Sequence, residues 1–167
     1  VSEHKYQNEG GPGLAQAFAL LRDTTRPSAP HTLKLLDYVV FNALIGNHDA
    51  HGKNFSLLYT PAGAVLTPLY DALCTAVYPK KKKKMAMKIG SKYKFSELEA
   101  RHWQQFATEV GLSPAACQKR LIQMASQLPT VARALQHNVQ AQKNALHDPL
   151  QDFSSAPIVE QIVQLIE

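Results

Sequence analysis

No apolar run in the 167 residues approaches the roughly 20 a membrane-spanning helix needs. The longest, around Ala43-Leu44-Ile45, is broken by Asn42 and Gly46. Cysteine is scarce. Cys74 and Cys117 are too few for a disulfide framework or a four-cysteine zinc site, so two reduced thiols in a cytosolic (cytoplasmic) protein are expected. No internal repeat is present, and no Walker-type Gly-x4-Gly-Lys-Ser/Thr. Gly10-Gly11-Pro12-Gly13 lacks the Gly-x-Gly-x-x-Gly spacing that cradles phosphate. Val stands first rather than Met and polar residues come after it, which reads as a fragment without a signal peptide.

The residues present are enough for a core. Apolar residues make up 45% and charged residues 19%, the balance of one ordinary domain or one lobe of a larger enzyme. The net charge of +5 is unevenly held. Eight of 18 basic residues lie between Lys80 and Lys94, a stretch with no acid, which leaves the remainder at −3. A protein that coats nucleic acid spreads its positive charge over a face. One basic segment on a mildly acidic body reads instead as a solvated loop, a loop facing substrate, or a direct nucleic-acid contact.

The periodicities predict a mainly α protein. After an extended, polar opening to Glu9, the turn at Gly10–Gly13 leads into a helix from Leu14 to about Arg22, with Pro12 near its first position. A second, heavily buried helix starts near Pro30, with Leu33, Leu36, Val40 and Leu44 on one face, and stops at Gly46. Phe55–Tyr59 and Ala64–Leu66 read as a hairpin around Pro61-Ala62-Gly63, and Thr67 to Pro79 as irregular. Ser96-Glu97-Leu98-Glu99 has the form of a capping box for a helix to Val110. Further helices are expected from Ser113-Pro114 to about Gln127, from Pro129 to Leu146, and from Ala156 to Ile166. Trp103 and Phe106 belong to the core, Met85 and Met87 to a short strand tucked against the body, and Cys74 to a buried structural thiol.

The chemistry concentrates in Gly46-Asn47-His48-Asp49-Ala50-His51-Gly52-Lys53-Asn54, a polar loop framed by the most buried helix and a strand. Three readings compete. His48, Asp49 and His51 are ligand types for zinc, manganese or iron, although no further histidine is placed to complete such a site. Alternatively, Asp49 and Asn54 have the offset of a kinase catalytic loop, and a hairpin then leads to Asp71. There an Asp orients the substrate hydroxyl and accepts its proton, while an Asn and a second Asp offer oxygen ligands to magnesium. A nearby lysine offsets charge on the transferred group. The third reading is structural: turn-capping Asp and Asn beside a solvated Lys.

The strings Asp49-Ala50-His51-Gly52-Lys53-Asn54-Phe55-Ser56 and Leu66-Thr67-Pro68-Leu69-Tyr70-Asp71 resemble the HipA-like serine/threonine kinases, toxins of bacterial toxin–antitoxin pairs. Lys5-Tyr6, Gly10–Gly13 and Lys84-Met85-Ala86-Met87 are also similar to that family. The resemblance covers nearly the whole chain, most strongly residues 5 to 95, and is closest to the family's C-terminal helical portion. It implies a single unit over residues 1–167: the helical C-terminal lobe of a protein-kinase-like fold, with one small hairpin carrying the catalytic and metal loop and the N-terminal nucleotide lobe absent. Asp49 would be the catalytic base, Asn54 and Asp71 magnesium ligands, His51 and Lys53 contacts to the ATP phosphates, and Tyr70 part of the nucleotide pocket. Implied partners are a helix-turn-helix antitoxin, operator DNA through it, and a substrate protein of the translation machinery. Asn47-His48 and Ala72-Leu73 differ from the His-Arg and Phe-Gly of eukaryotic-type kinases but fit the HipA-like pattern, and no Ala-Pro-Glu comes after them. With the phosphate loop expected upstream of Val1, the chain alone is expected to be inactive. The alternative is a non-catalytic truncated lobe that binds an antitoxin or DNA.

Overall fold

The computed structural model describes residues 4–78, 84–146, 161, 162 and 164. Four helices and one hairpin make the body: α1 (Leu14–Thr24), α2 (Ser28–Leu44), β1 (Leu57–Thr60), β2 (Gly63–Leu66), α3 (Ala100–Glu109) and α4 (Pro114–Leu146). α1 packs on α2, α3 on α4, and α2 also meets α4 and β2. The strands are antiparallel, with Leu57 opposite Leu66 and Thr60 opposite Gly63.

One core joins these elements. Leu14, Phe18 and Leu21 of α1 meet Leu35, Leu36, Val39 and Val40 of α2 and Trp103, Phe106 and Val110 of the α3 region. The Phe18 and Phe106 rings meet edge to face at 5.8 Å, a favoured aromatic geometry. Burying each such side chain contributes about 1.5–3 kcal/mol. Two cations brace the outside. Arg22 donates to the Val110 carbonyl at the end of α3 (2.6 Å), and Arg120 of α4 forks onto the Asp37 carboxylate of α2.

Several boundaries differ from those expected. α1 begins at Leu14 with Gly13 as its N-cap, so Pro12 lies outside it, and it continues to Thr24. α2 begins at Ser28, with Pro30 in its first turn, where a missing N–H costs nothing. Its buried face is Thr32, Leu35, Leu36, Val39 and Val40, while Leu33 is 53% exposed. By the 3.6-residue period the buried arc runs from Leu35 through Val39 and Leu36 to Val40, and Leu33 projects just beyond its Val40 edge. Ser96 caps no long helix, because Phe95–Glu97 closes a 3-10 turn. α3 instead starts after Glu99, whose N–H donates to His102 Nδ1 (3.0 Å). α4 runs unbroken through Pro129, so the two helices expected there are one. The expected helix at Ala156–Ile166 lies outside the described residues except for Gln161, Ile162 and Gln164, which are helical, and Lys80–Lys83 lie outside them entirely. Met85 and Met87 are buried but form no strand. Trp103 and Phe106 are core, and Cys74 is only half-buried. Among the described residues no helix is long and apolar enough to cross a membrane.

Candidate active site

The loop after α2 leaves the helix through a left-handed glycine. Gly46 has φ 69°, a conformation disfavoured for side-chain-bearing residues, and the Asn47 N–H closes back onto the Asn42 carbonyl at 2.8 Å. That closure buries the Asn47 side chain, which then organises the next turn. Its Oδ1 accepts the Asp49 N–H (3.0 Å), and its Nδ2 donates to Asn42 Oδ1 (2.7 Å) and to the Asp71 carbonyl (3.3 Å). One amide therefore ties the turn carrying Asp49 to the turn carrying Asp71. Farther along, Gly52 lies against Pro12, so close that a Cβ there would sit 2.5 Å from the proline ring.

Asp49 is met by two residues from far upstream. Tyr6 donates its hydroxyl to Oδ1 at 2.7 Å, and Lys5 Nζ lies 3.3 and 3.5 Å from the two carboxylate oxygens. Partial burial pushes the Asp49 carboxyl up, but the Tyr6 and Lys5 hydrogen bonds outweigh it and hold the group below its ordinary value. Desolvation and the Asp49 contact push the Tyr6 hydroxyl up, and its bond to Tyr6 leads the causes that raise Lys5. The base candidate is thus ionised and its neighbouring lysine charged. The segment that delivers them is pinned by backbone: Gln7 N–H to Ala86 carbonyl and Ala86 N–H to His48 carbonyl, both 2.8 Å.

Asn54 and Asp71 are in contact, with Asn54 Nδ2 donating to Asp71 Oδ2 at 2.6 Å. Asn54 is buried, and its Oδ1 accepts the His51 N–H at 2.9 Å. Asp71 adopts φ 54°, a left-handed conformation that Asp tolerates better than most residues and that at a functional site stores modest strain. A carboxylate beside an amide fits a hard cation such as magnesium, which takes one or two protein oxygens and fills its shell with water and phosphate. Asn54 Oδ1 and the Asp71 carboxylate are the oxygens that would hold such an ion.

The other candidates are placed less directly. His51 is buried, its ring edge-on to Tyr6 at 6.2 Å, and its Nδ1 has no hydrogen-bond partner among the described residues. Burial pushes its imidazole below the usual value despite the opposing field of Asp49. Lys53 is exposed, and its carbonyl accepts the Tyr70 hydroxyl at 2.6 Å. Tyr70 in turn accepts from Ser56, so it braces the loop from outside. The His48–Asp49–His51 metal reading fails. His48 turns away to Thr75 Oγ1 (3.2 Å), with its ring tilted against Phe95 at 4.7 Å, and among the described residues no three His, Cys, Asp or Glu side chains converge. Asp49 faces a cleft of about 960 Å³ lined also by Lys5, Tyr6, His48, Leu73 and Tyr78. Sequence reasoning misses Asn47, Thr75 and the roles of Lys5 and Tyr6. Lys5-Tyr6 stands among the family-like strings, but nothing in a sequence separated from Asp49 by more than forty residues pairs them with it.

Comparison with known proteins decides the family. The HipA-like C-terminal domain matches residues 1–132. The chain belongs to that family. Among curated HipA relatives, it is 44% identical over 135 residues to a putative kinase, Y4mE, of Sinorhizobium fredii, covering 80% of this chain and 32% of that one. It is 30% identical over 119 residues to the serine/threonine-protein kinase toxin HipA of Shewanella oneidensis, covering 71% and 27%. Among solved structures, a HipA chain from the Shewanella oneidensis complex of HipA, HipB and operator DNA matches with TM-score 0.78 over 99% of this chain and 39% of its own, at 24% identity. The HipA fold is therefore shared: helical, with one small antiparallel pair. The chain spans about a third of the length of these relatives.

Proposed function

We propose that the chain is the catalytic and metal-binding portion of an ATP-dependent protein serine/threonine kinase of a toxin–antitoxin module. The observation that carries this reading is the Asn47 bridge, which holds an ionised, cleft-facing Asp49 on the same framework as the Asn54–Asp71 pair. Asp49 orients a serine or threonine hydroxyl and takes its proton as the oxygen attacks the γ-phosphorus. Asn54 and Asp71 hold magnesium, which when bound neutralises charge on the phosphates. Asn47 keeps these groups in register, and Tyr6 fixes the Asp49 carboxylate. His51 and Lys53 serve the nucleotide phosphates and Tyr70 the edge of the nucleotide pocket, with the remainder of that pocket supplied by chain outside these residues.

A HipB-like helix-turn-helix antitoxin, and operator DNA through it, are the proposed partners, supported by the composition of the similar Shewanella complex. A translation-machinery protein is the proposed substrate. The alternative, a non-catalytic binding lobe, is favoured by a filled cleft, whereas this cleft is open. The deciding experiment compares full-length wild type with Asp49→Asn, using magnesium and radiolabelled ATP. Transfer is expected to fall by roughly 10²-fold or more in the variant, since positioning and charge stabilisation carry phosphoryl transfer. No transfer by wild type to itself or to lysate proteins would favour the binding lobe instead.

A further inference from the structure

We infer that Lys5, rather than Lys53 of the polar loop, is the catalytic cation that contacts the transferred phosphoryl group, an assignment that rests on the kinase reading above. Among the described residues, Lys5 is the lysine that pairs with Asp49. Its two contacts, 3.3 and 3.5 Å, are longer than the about 2.7–2.9 Å of a committed charge-assisted bond. The short position on Asp49 Oδ1 belongs instead to Tyr6 at 2.7 Å. The ammonium also lies 4.8 Å from the Tyr6 ring centroid, and its side chain is 38% exposed on the cleft wall. It is therefore charged, held beside the base, and left with donors to offer an anion.

Lys84 and Lys94 also line the cleft, but neither is hydrogen-bonded or ion-paired to Asp49 as Lys5 is. Lys94 lines the cleft but is engaged by Glu97 at 2.8 Å. Lys53 does not line it. The Lys5 backbone is held in place for the task. Gln7, two residues on, is clamped through its N–H to Ala86 and through its side-chain oxygen to the Lys88 N–H at 2.9 Å. Gly11 packs under this segment, where a Cβ would sit 2.7 Å from the His4 carbonyl, so the polypeptide folds back on itself tightly.

In the step, the substrate oxygen bonds to the γ-phosphorus of ATP, the bond from that phosphorus to the bridging oxygen breaks, and ADP leaves with the electron pair. The hydroxyl proton passes to Asp49. Lys5 offsets negative charge on the phosphoryl oxygens throughout and exchanges no proton. The sequence spacing hides this, because the cation comes from 44 residues before the base.

The test uses the full-length protein with Lys5→Met, Lys5→Arg and Asp49→Asn, assayed with Mg·ATP from pH 6 to 9. For Lys5→Met, kcat is expected to fall by about 10²-fold or more with the KM for ATP changed only a few-fold, and Lys5→Arg is expected to recover much of the loss. The loss should persist across the whole range, because the Tyr6 hydrogen bond as well as Lys5 lowers the Asp49 carboxyl. Recovery of Lys5→Met at high pH would mean that Lys5 acts only through Asp49, and overturns the inference. Lys5→Met within threefold of wild type, with Asp49→Asn inactive, overturns it while leaving the kinase reading intact. Wild type no more active than Asp49→Asn overturns both. Should Lys5→Met fail to fold, the Lys5 15Nζ resonance of the wild type decides: a shift on adding Mg·ATP is expected, and no shift is the contrary result.

Discussion

At the scale of single residues, the site is tuned by what surrounds each titrating group. Burial lowers the imidazoles of His48 and His51, in each case as the largest cause, so the native protein holds both neutral while an unfolded chain would protonate them near the usual 6.5. Below that value the unfolded state binds more protons, and stability falls as pH drops. Asp49 acts in a separate window. Its carboxyl is held below the ordinary 3.8, so the stabilisation from Tyr6 and Lys5 is present above that value and is lost as pH falls through the folded one. Urea midpoints between pH 8 and 3 are expected to decline in two steps, and His51→Gln is expected to shrink the first step alone. A midpoint that is flat between pH 7 and 5 would contradict this account of the histidines.

At the scale of elements, the loop after α2 is rigid because a buried amide joins its neighbours into one unit. Asn47→Ala removes three side-chain hydrogen bonds in a buried place and leaves Asn42 Oδ1 without its donor. The expected cost is about 1–3 kcal/mol in chemical denaturation, with phosphate transfer by the full-length protein lowered well beyond what lost fold alone would cause. Unchanged stability would mean the bridge is not what holds the two turns. Elements also show where local signals mislead. Ser96 to Glu99 has the letters of a capping box, yet the helix starts later, because His102 closes the cap from within α3 while Trp103 and Phe106 set which face must turn inward. Pro129 reads as a helix break, yet α4 passes through it, since proline removes one bond, to the Ala125 carbonyl, from a helix of 33 residues.

At the scale of the molecule, the chain holds a candidate base, a candidate pair of oxygen ligands and a cleft, but no glycine-rich phosphate loop among its 167 residues. The expected outcome for the purified 167-residue chain is negligible transfer from radiolabelled ATP, with activity appearing only in the full-length protein. Robust transfer by the isolated chain would mean a complete nucleotide site lies within it. The hydrophobic periods and the glycine and proline punctuation were enough to read a helical body with one hairpin inserted beside a polar loop, and the strings Asp49–Ser56 and Leu66–Asp71 carried the resemblance to the family that the chain matches. They act over short distances along the chain, where local geometry alone decides which residues share a face or a turn. The partners of Asp49, the Asn47 bridge and the true face of α2 depend on segments distant in sequence being packed together. Only the burial of one shared core brings Lys5, Asp49 and Asp71 onto one framework, and that is a property of the tertiary fold.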